Sequence, residues 1–217
     1  MGIRYVLFDL DGTLFDTSPG ILRCIRAALR QCGVPVGEGE NLNKFIGPPF
    51  LSALKEFYGM DEAQAVRVKD VYRALYAAGG VDECAPMPGA RECLEALRGA
   101  GLTLAVATSK PLPFALRVLG RFDFLPFFAF VGADETPTGT EKAEVVGRVL
   151  QKLGGPPPEA CMMVGDRKYD VLGAAAHGIR CVCYDSGFAE PGEYGRAGAC
   201  KVASSYAEVQ AFLLAAR

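Results

Sequence analysis

The sequence predicts an α/β protein: a Rossmann-like parallel sheet with helices on both faces, carrying an inserted α-helical subdomain near its start. Three observations lead there. Short apolar runs rich in β-branched and aromatic residues recur at Arg4–Phe8, Leu102–Thr108, Phe127–Val131, Cys161–Val164 and Arg180–Tyr184. Helical patterns separate the later runs, and strands that alternate with helices pair in parallel under helical cover on both faces. Between Ser18 and about Gly80 the alternation stops, and only helical patterns occur.

The first run, Arg4–Phe8, reads as a buried strand that breaks at Asp9-Leu10-Asp11-Gly12-Thr13. Ser18-Pro19 is a helix start, and Ile21, Leu22, Ile25, Ala28 and Leu29 form a helical stripe that Gly33 ends. Phe50–Phe57 and Asp61–Ala78 are two further helices, the second capped by Asp61 and ended by Gly79-Gly80. After Met87-Pro88-Gly89 the predicted helices are Ala90–Arg98, Pro113–Gly120, Glu141–Leu153, Tyr169–His177 and Ala207–Ala215, with a last short strand near Lys201–Val202. The expected division is a core of residues 1–15 and 84–217, with residues 16–83 as the insertion.

At 217 residues, half of them hydrophobic, the chain can bury a sizeable core. Its formal charge is −2 and no Lys/Arg run occurs, which argues against nucleic-acid and membrane partners. The N-terminal apolar run meets an acid at Asp9, unlike a secretory signal, and Val6 breaks the myristoylation pattern. A cytoplasmic protein is expected. The eight cysteines include no C-x-x-C pair and read as small buried hydrophobes rather than zinc ligands or disulfides. Oligomeric state is open.

In open parallel sheets, ligands bind at the carboxyl ends of the strands, near the point where strand order reverses. That edge is expected to carry Asp9 and Asp11, Thr108 and Ser109, and Asp166, with Lys142 opening the helix after the third strand. Asp9 and Asp11 lie two apart on an extended segment, so their side chains point the same way. Two carboxylates so close repel unless a cation lies between them or one is protonated. Both conditions suit phosphoryl transfer: magnesium takes oxygen ligands from carboxylates and phosphate, and an ionised Asp9 can attack phosphorus. Asp11, lifted by its neighbour, can protonate the leaving oxygen and then deprotonate water. Gly12 lets backbone approach the transferring group. Thr108, Ser109 and Lys142 supply donors and positive charge to phosphoryl oxygens. Asp166 can complete a metal site, and Asp170, in the first turn of the next helix, can reach the same place. Each element has a plainer reading: a solvated Asp-x-Asp-Gly turn, a helix cap at Thr108-Ser109 or Asp166, a surface lysine at 142. Their joint occurrence after successive strands favours chemistry.

The order Asp9-Leu10-Asp11-Gly12-Thr13, Thr108, Lys142, Gly165-Asp166-x-x-x-Asp170 resembles the haloacid dehalogenase superfamily of phosphohydrolases, and the insertion resembles that family's helical cap. The resemblance covers nearly the whole chain. It implies Asp9 as nucleophile and metal ligand, and Asp11 as general acid/base that also binds metal through its backbone carbonyl. It implies Thr108 and Lys142 as phosphate holders and Asp166 as a metal ligand supported by Asp170. Phe45-Ile46-Gly47-Pro48-Pro49, Thr108-Ser109-Lys110-Pro111 and Gly165–Asp170 are similar to motifs of phosphoglycolate phosphatases and 5′-nucleotidase-like members. The expected activity is magnesium-dependent hydrolysis of a small phosphate ester, with Gly47 and Arg73 of the cap on the substrate. A phosphosugar mutase shares nearly every motif. A phosphoacceptor signalling module places Asp, Thr and Lys similarly but has no need of a second aspartate two residues on.

Overall fold

The computed structural model describes residues 2–48, 50–136 and 139–217. Strand β1 (Tyr5–Phe8) leads through the Asp9–Leu14 loop into a short strand β2 (Phe15–Asp16). A helical segment follows: α1 (Ser18–Gln31), a 3-10 turn at Asn43–Phe45, α2 (Phe50–Tyr58), α3 (Glu62–Ala78) and a second turn at Gly80–Asp82. The chain returns through β3 (Ala85–Pro86) and then alternates: α4 (Ala90–Gly99), β4 (Thr103–Pro111), α5 (Leu112–Arg121), β5 (Phe130–Asp134), α6 (Lys142–Lys152), β6 (Cys161–Gly165), α7 (Lys168–Ala175), β7 (Arg180–Tyr184), α8 (Glu193–Ala197), β8 (Lys201–Ala203) and α9 (Tyr206–Ala215). No helix among the described residues is long and apolar enough to cross a membrane.

The six-stranded sheet has the order β5-β4-β1-β6-β7-β8, and every neighbouring pair is parallel. β1 is central, with Phe8 opposite Val106 on one side and Val164 on the other. The period-2 geometry of a strand divides its side chains between the two faces. Val6 and Phe8 join a cluster with Leu94 and Leu97 of α4, Leu119 of α5 and Leu213 of α9. Leu7 joins the opposite cluster with Val145 and Val149 of α6 and Ala174 of α7. Phe8 and Leu7 are fully buried, each worth about 1.5–3 kcal/mol of transfer from water. Such two-sided burial locks the register of β1, because a one-residue slip would send each side chain to the other face. Sequence order reverses at β1: the chain fills β4 and β5 on one side, then β6, β7 and β8 on the other. The crevice at its carboxyl end is the ligand position of such sheets.

The strand entering the helical segment pairs antiparallel with the strand leaving it, Phe15 opposite Pro86 and Asp16 opposite Ala85. Both crossings therefore lie side by side, next to Asp11. Asp61 caps α3 as expected: its carboxylate accepts from Gln64 N at 2.8 Å while the Gln64 side chain accepts from Asp61 N at 3.1 Å. Four aromatic contacts run from the segment toward the sheet: Phe45–Phe50 (5.7 Å between ring centroids), Phe50–Tyr72 (4.4 Å), Tyr72–Tyr76 (5.5 Å) and Tyr76–Phe114 (5.2 Å). Phe114 belongs to α5, so the ladder ends on the α/β layers.

Three local expectations are corrected. The strand expected at Phe127–Val131 is β5 at Phe130–Asp134, because Leu125–Phe127 forms a 3-10 turn. The amides of Phe127 and Phe128 bond back to Phe124 and Leu125 and are lost to the ladder. Thr108-Ser109 is no helix cap, since β4 continues to Pro111 with a register irregularity after Ala107, and Pro111 precedes α5. The two-residue strands β2 and β3 and the short helix α8 are additional to the expected elements; they are too short for periodicity to show them.

Candidate active site

Asp9 follows β1 directly, and its amide still bonds to Val164 O of β6 at 2.9 Å. Its side chain is 7% exposed. Lys142, the first residue of α6, extends under the sheet edge. Its ammonium lies 2.7 Å from Asp9 Oδ1 and 2.8 Å from Asp170 Oδ1, and donates to Ala107 O at 3.0 Å. Three oxygens thus surround the ammonium, so that α6, the end of β1, β4 and α7 meet at one nitrogen. Asp9 Oδ1 and Asp170 Oδ1 have that ion pair but no well-directed hydrogen bond.

Asp170 Oδ2 accepts from the amides of Asp166 (3.1 Å) and Arg167 (3.0 Å), which fixes the turn between β6 and α7. Asp166 is fully buried; Thr13 Oγ1 donates to its Oδ1 at 3.1 Å and Ser186 Oγ to its Oδ2 at 2.8 Å. Oxygens of Asp9, Asp166 and Asp170 lie within 4.8 Å of one another. Burial pushes Asp9 up to about 6, against the pull of Lys142, and Asp170 and Asp11 add repulsion. Burial, then Asp170 and Asp9, push Asp166 well above the usual carboxylate range, while Ser186 and Thr13 oppose this. Burial works against the charge of Lys142, but Asp170 and Asp9 outweigh it and hold its proton more tightly than usual.

The Asp11 carboxylate is not in that triad. It turns to Thr17 Oγ1, which donates at 2.7 Å, and to Lys110 Nζ at 2.8 and 3.2 Å. Thr108 is buried and its hydroxyl oxygen accepts from Lys110 N at 3.2 Å. A cavity of about 110 Å³ joins these groups to the helical segment. Its floor includes Asp9, Asp11, Thr108, Ser109 and Lys142; its roof includes Phe45, Gly47, Tyr72, Arg73 and Tyr76.

Gly12 and Gly47 occupy positions no other residue fits easily. Gly12 has φ +79°, and a Cβ there would lie 2.2 Å from Asp166 Oδ2. It makes room for Asp166 and is not among the residues lining the cavity. Gly47 has φ +105°, and its Cβ would lie 2.9 Å from Arg167 Cγ. Arg167 donates through Nη1 to Ile46 O and pairs through Nε and Nη2 with Glu193 of α8 at 2.9 and 3.2 Å. The Gly47 loop is thus seated on the residue that follows Asp166. Pro49, the last residue of that motif, lies outside the described residues. Arg73 is half-buried at the cavity roof.

Four polar residues were absent from the expected site. Asp134 ends β5 and lines the cavity; its Oδ1 accepts from Thr140 Oγ1 at 2.6 Å. An acid at a strand's carboxyl end was its signal, hidden when the strand was placed three residues early. Thr13 and Ser186 hold Asp166 from two loops, and Lys110 holds Asp11. Lys110 lies in the Thr108-Ser109-Lys110-Pro111 motif, and Ser186 just past the end of β7.

Two carboxylates on one ammonium, with a third carboxylate beside them, lie at the switch point of a parallel sheet and under a helical roof. Residues 6–184 match the family model for haloacid dehalogenase-like hydrolases. The chain is 40% identical over 194 residues to a 5′-nucleotidase of Pseudomonas aeruginosa, covering 88% of this chain and 87% of that protein. It is 31% identical over 191 residues to a phosphoglycolate phosphatase of Caulobacter vibrioides, covering 85% and 80%. It is 41% identical over 186 residues to the tyrosine-protein kinase PtkA of Mycobacterium tuberculosis, covering 85% of this chain but 63% of that protein, less than two thirds of it. A solved structure of a predicted phosphatase from Clostridium acetobutylicum superposes with a TM-score of 0.94 at 32% identity, covering 99% of this chain and 100% of that one. The chain belongs to the haloacid dehalogenase-like hydrolases. It is an enzyme of that family, a phosphatase.

The Gly12 contact yields a sharp expectation. Gly12→Ala crowds Asp166 and strains the loop between Asp11 and Thr13, and a misplacement near 1 Å in such a site costs on the order of 100-fold in rate. Phosphatase assays alongside circular dichroism check it: a folded variant of near-wild-type rate would show that Asp166 needs no fixed position.

Proposed function

We propose that the chain hydrolyses small phosphomonoesters through an aspartyl-phosphate on Asp9, with magnesium beside it. The observation that supports this reading most is the shared ammonium of Lys142. It keeps Asp9 paired on the floor of the cavity, although Asp9 is buried. The family membership and the 5′-nucleotidase and phosphoglycolate phosphatase relatives agree with it.

The residues fit a divalent cation. With all three carboxylates ionised, the triad and its one ammonium leave two negative charges that a divalent cation would balance, and every side-chain donor is a hard oxygen without histidine or thiolate. Asp9 and Asp166 with the Asp11 carbonyl would hold magnesium; Asp170, with Lys142 and two amides already on it, would act by fixing Asp166 and Lys142. When bound, magnesium supplies charge neutralisation for phosphoryl oxygens.

The chain's own groups divide the remaining work. An Asp9 carboxylate oxygen forms a bond to phosphorus as the bond to the leaving oxygen breaks. Asp11 gives a proton to that oxygen. Thr108 and Ser109 donate to phosphoryl oxygens, and Lys142 balances their charge. Asp11 then takes a proton from water as the water oxygen bonds to phosphorus and the Asp9–phosphorus bond breaks. Phosphate leaves and both carboxyls return to their first state. The helical segment acts as a cap that excludes bulk water during transfer. Transfer to a second acceptor is the alternative outcome, favoured by the relative named as a tyrosine-protein kinase.

Turnover of p-nitrophenyl phosphate with magnesium tests the reading. Activity should vanish in EDTA, return with magnesium, and be absent in folded Asp9→Asn protein. Near-native turnover by that variant contradicts the nucleophile assignment, and phosphate recovered on a second substrate rather than in solution favours transfer.

Arg73 should select the leaving group. The cavity suits small esters, and a guanidinium on its roof suits an acidic one such as 2-phosphoglycolate better than a neutral one. Arg73→Ala should raise KM about tenfold for an acidic leaving group, the cost of one charge-assisted hydrogen bond, with little change for p-nitrophenyl phosphate. An unchanged ranking across acidic esters, nucleoside 5′-monophosphates and p-nitrophenyl phosphate would remove Arg73 from specificity.

A further inference from the structure

Two lysines of the site pair with its aspartates, and the mechanism above uses only one of them. Lys142 serves Asp9. Lys110, at the end of β4 and with a side chain 3% exposed, serves Asp11. Its ammonium donates to both Asp11 oxygens, at 2.8 and 3.2 Å, and its third partner is the phenol oxygen of Tyr76 at 2.7 Å. Tyr76 belongs to α3 of the helical segment. It is 1% exposed, and its ring lies 4.7 Å from the same ammonium. Tyr72 stacks beside it and Phe114 of α5 meets it edge-on.

We propose that Lys110 and Tyr76 are positioning residues that aim Asp11 at the leaving oxygen only when the helical segment is seated. The proposal rests on the reading of Asp11 as the group that protonates that oxygen. A lysine side chain has many rotamers, and its ammonium has three donors. Two of those donors reach Asp11 as a carboxylate; when Asp11 carries the proton it gives, Lys110 keeps the unprotonated oxygen and the protonated one is left for the leaving group. The third fixes where the ammonium lies, and it ends on a residue that leaves with the cap. With the segment lifted, Lys110 keeps its charge but loses both the phenol oxygen and the ring face, so Asp11 loses a fixed partner. Thr17, the other partner of Asp11, stands beside the strand entering the segment and holds one oxygen alone. Seating of the cap is thereby coupled to proton transfer through two side chains and without any motion of the sheet. Arg167 on Ile46 O anchors the opposite side of the roof to the loop carrying Asp166, so the segment bears on both aspartate groups.

The test exploits leaving-group chemistry. p-Nitrophenolate departs without a proton, whereas an alkoxide needs one, and general acid catalysis is worth about 10²–10⁴-fold where it operates. The parameter is kcat/KM, which covers steps up to formation of the aspartyl-phosphate and so excludes the later role of Asp11 toward water. Tyr76→Phe removes one oxygen and keeps the ring packing. The ratio of kcat/KM for p-nitrophenyl phosphate to that for an alkyl phosphate such as glycerol 3-phosphate should rise at least about tenfold. Lys110→Met should raise it as much, and the double variant should add little, since the two act as a unit. A purely structural role would lower both substrates equally. An unchanged ratio in Lys110→Met overturns the proposal even if Tyr76→Phe fails to fold. Absence of p-nitrophenyl phosphate turnover in the wild-type chain would instead overturn the phosphatase mechanism itself.

Discussion

Lys142 brings one ammonium into a place where three carboxylates are buried. Without it, Asp9 and Asp170 would face each other as uncompensated charges, a situation costing several kcal/mol that buried acids escape by taking up protons. Its three oxygen neighbours come from three separate parts of the chain: Asp9 after β1, Ala107 in β4 and Asp170 in α7. The interaction therefore does two things together. It holds Asp9 paired, and it ties the two halves of the sheet at the point where strand order reverses.

The rest of the architecture places those groups. Alternation along β1 buries Val6 and Phe8 against one helical layer and Leu7 against the other, so the strand cannot slip, and Asp9 emerges at a fixed height. Gly12 turns the chain away at once and leaves space for Asp166, which Thr13 and Ser186 grip from both sides. The helical segment leaves and returns through a paired two-residue ribbon beside Asp11. Its aromatic ladder ends on α5, and its loop at Gly47 sits on Arg167. A roof with contacts on both sides of the crevice suits a site from which water must be kept out.

Much of this was legible in the sequence. Apolar runs ending in polar residues located β1, β4, β6 and β7, and with them Asp9, Thr108 and Asp166. Asp61 before a helical stripe located the start of α3. What stayed hidden has physical reasons. Asp134 was missed because the turn at Leu125–Phe127 is as apolar as a strand, so periodicity placed β5 early. Lys110 lies in a strand that runs past its apolar stretch, where alternation stops being informative. The grip of Ser186 on Asp166 spans 20 residues, and that of Thr13 spans 153, with no local pattern to announce either. The β2–β3 ribbon pairs Asp16 with Ala85 and Phe15 with Pro86, residues 69 and 71 apart in sequence, with no local pattern to announce it.

The central claim is that the group held by Lys142 takes the phosphoryl group. Mixing the enzyme with substrate and quenching into borohydride reduces an acyl phosphate to the alcohol and leaves homoserine in place of aspartate. Peptide mass spectrometry should find that replacement at position 9, in amounts that depend on substrate. Reduction at another aspartate, or none during active turnover, would contradict the account.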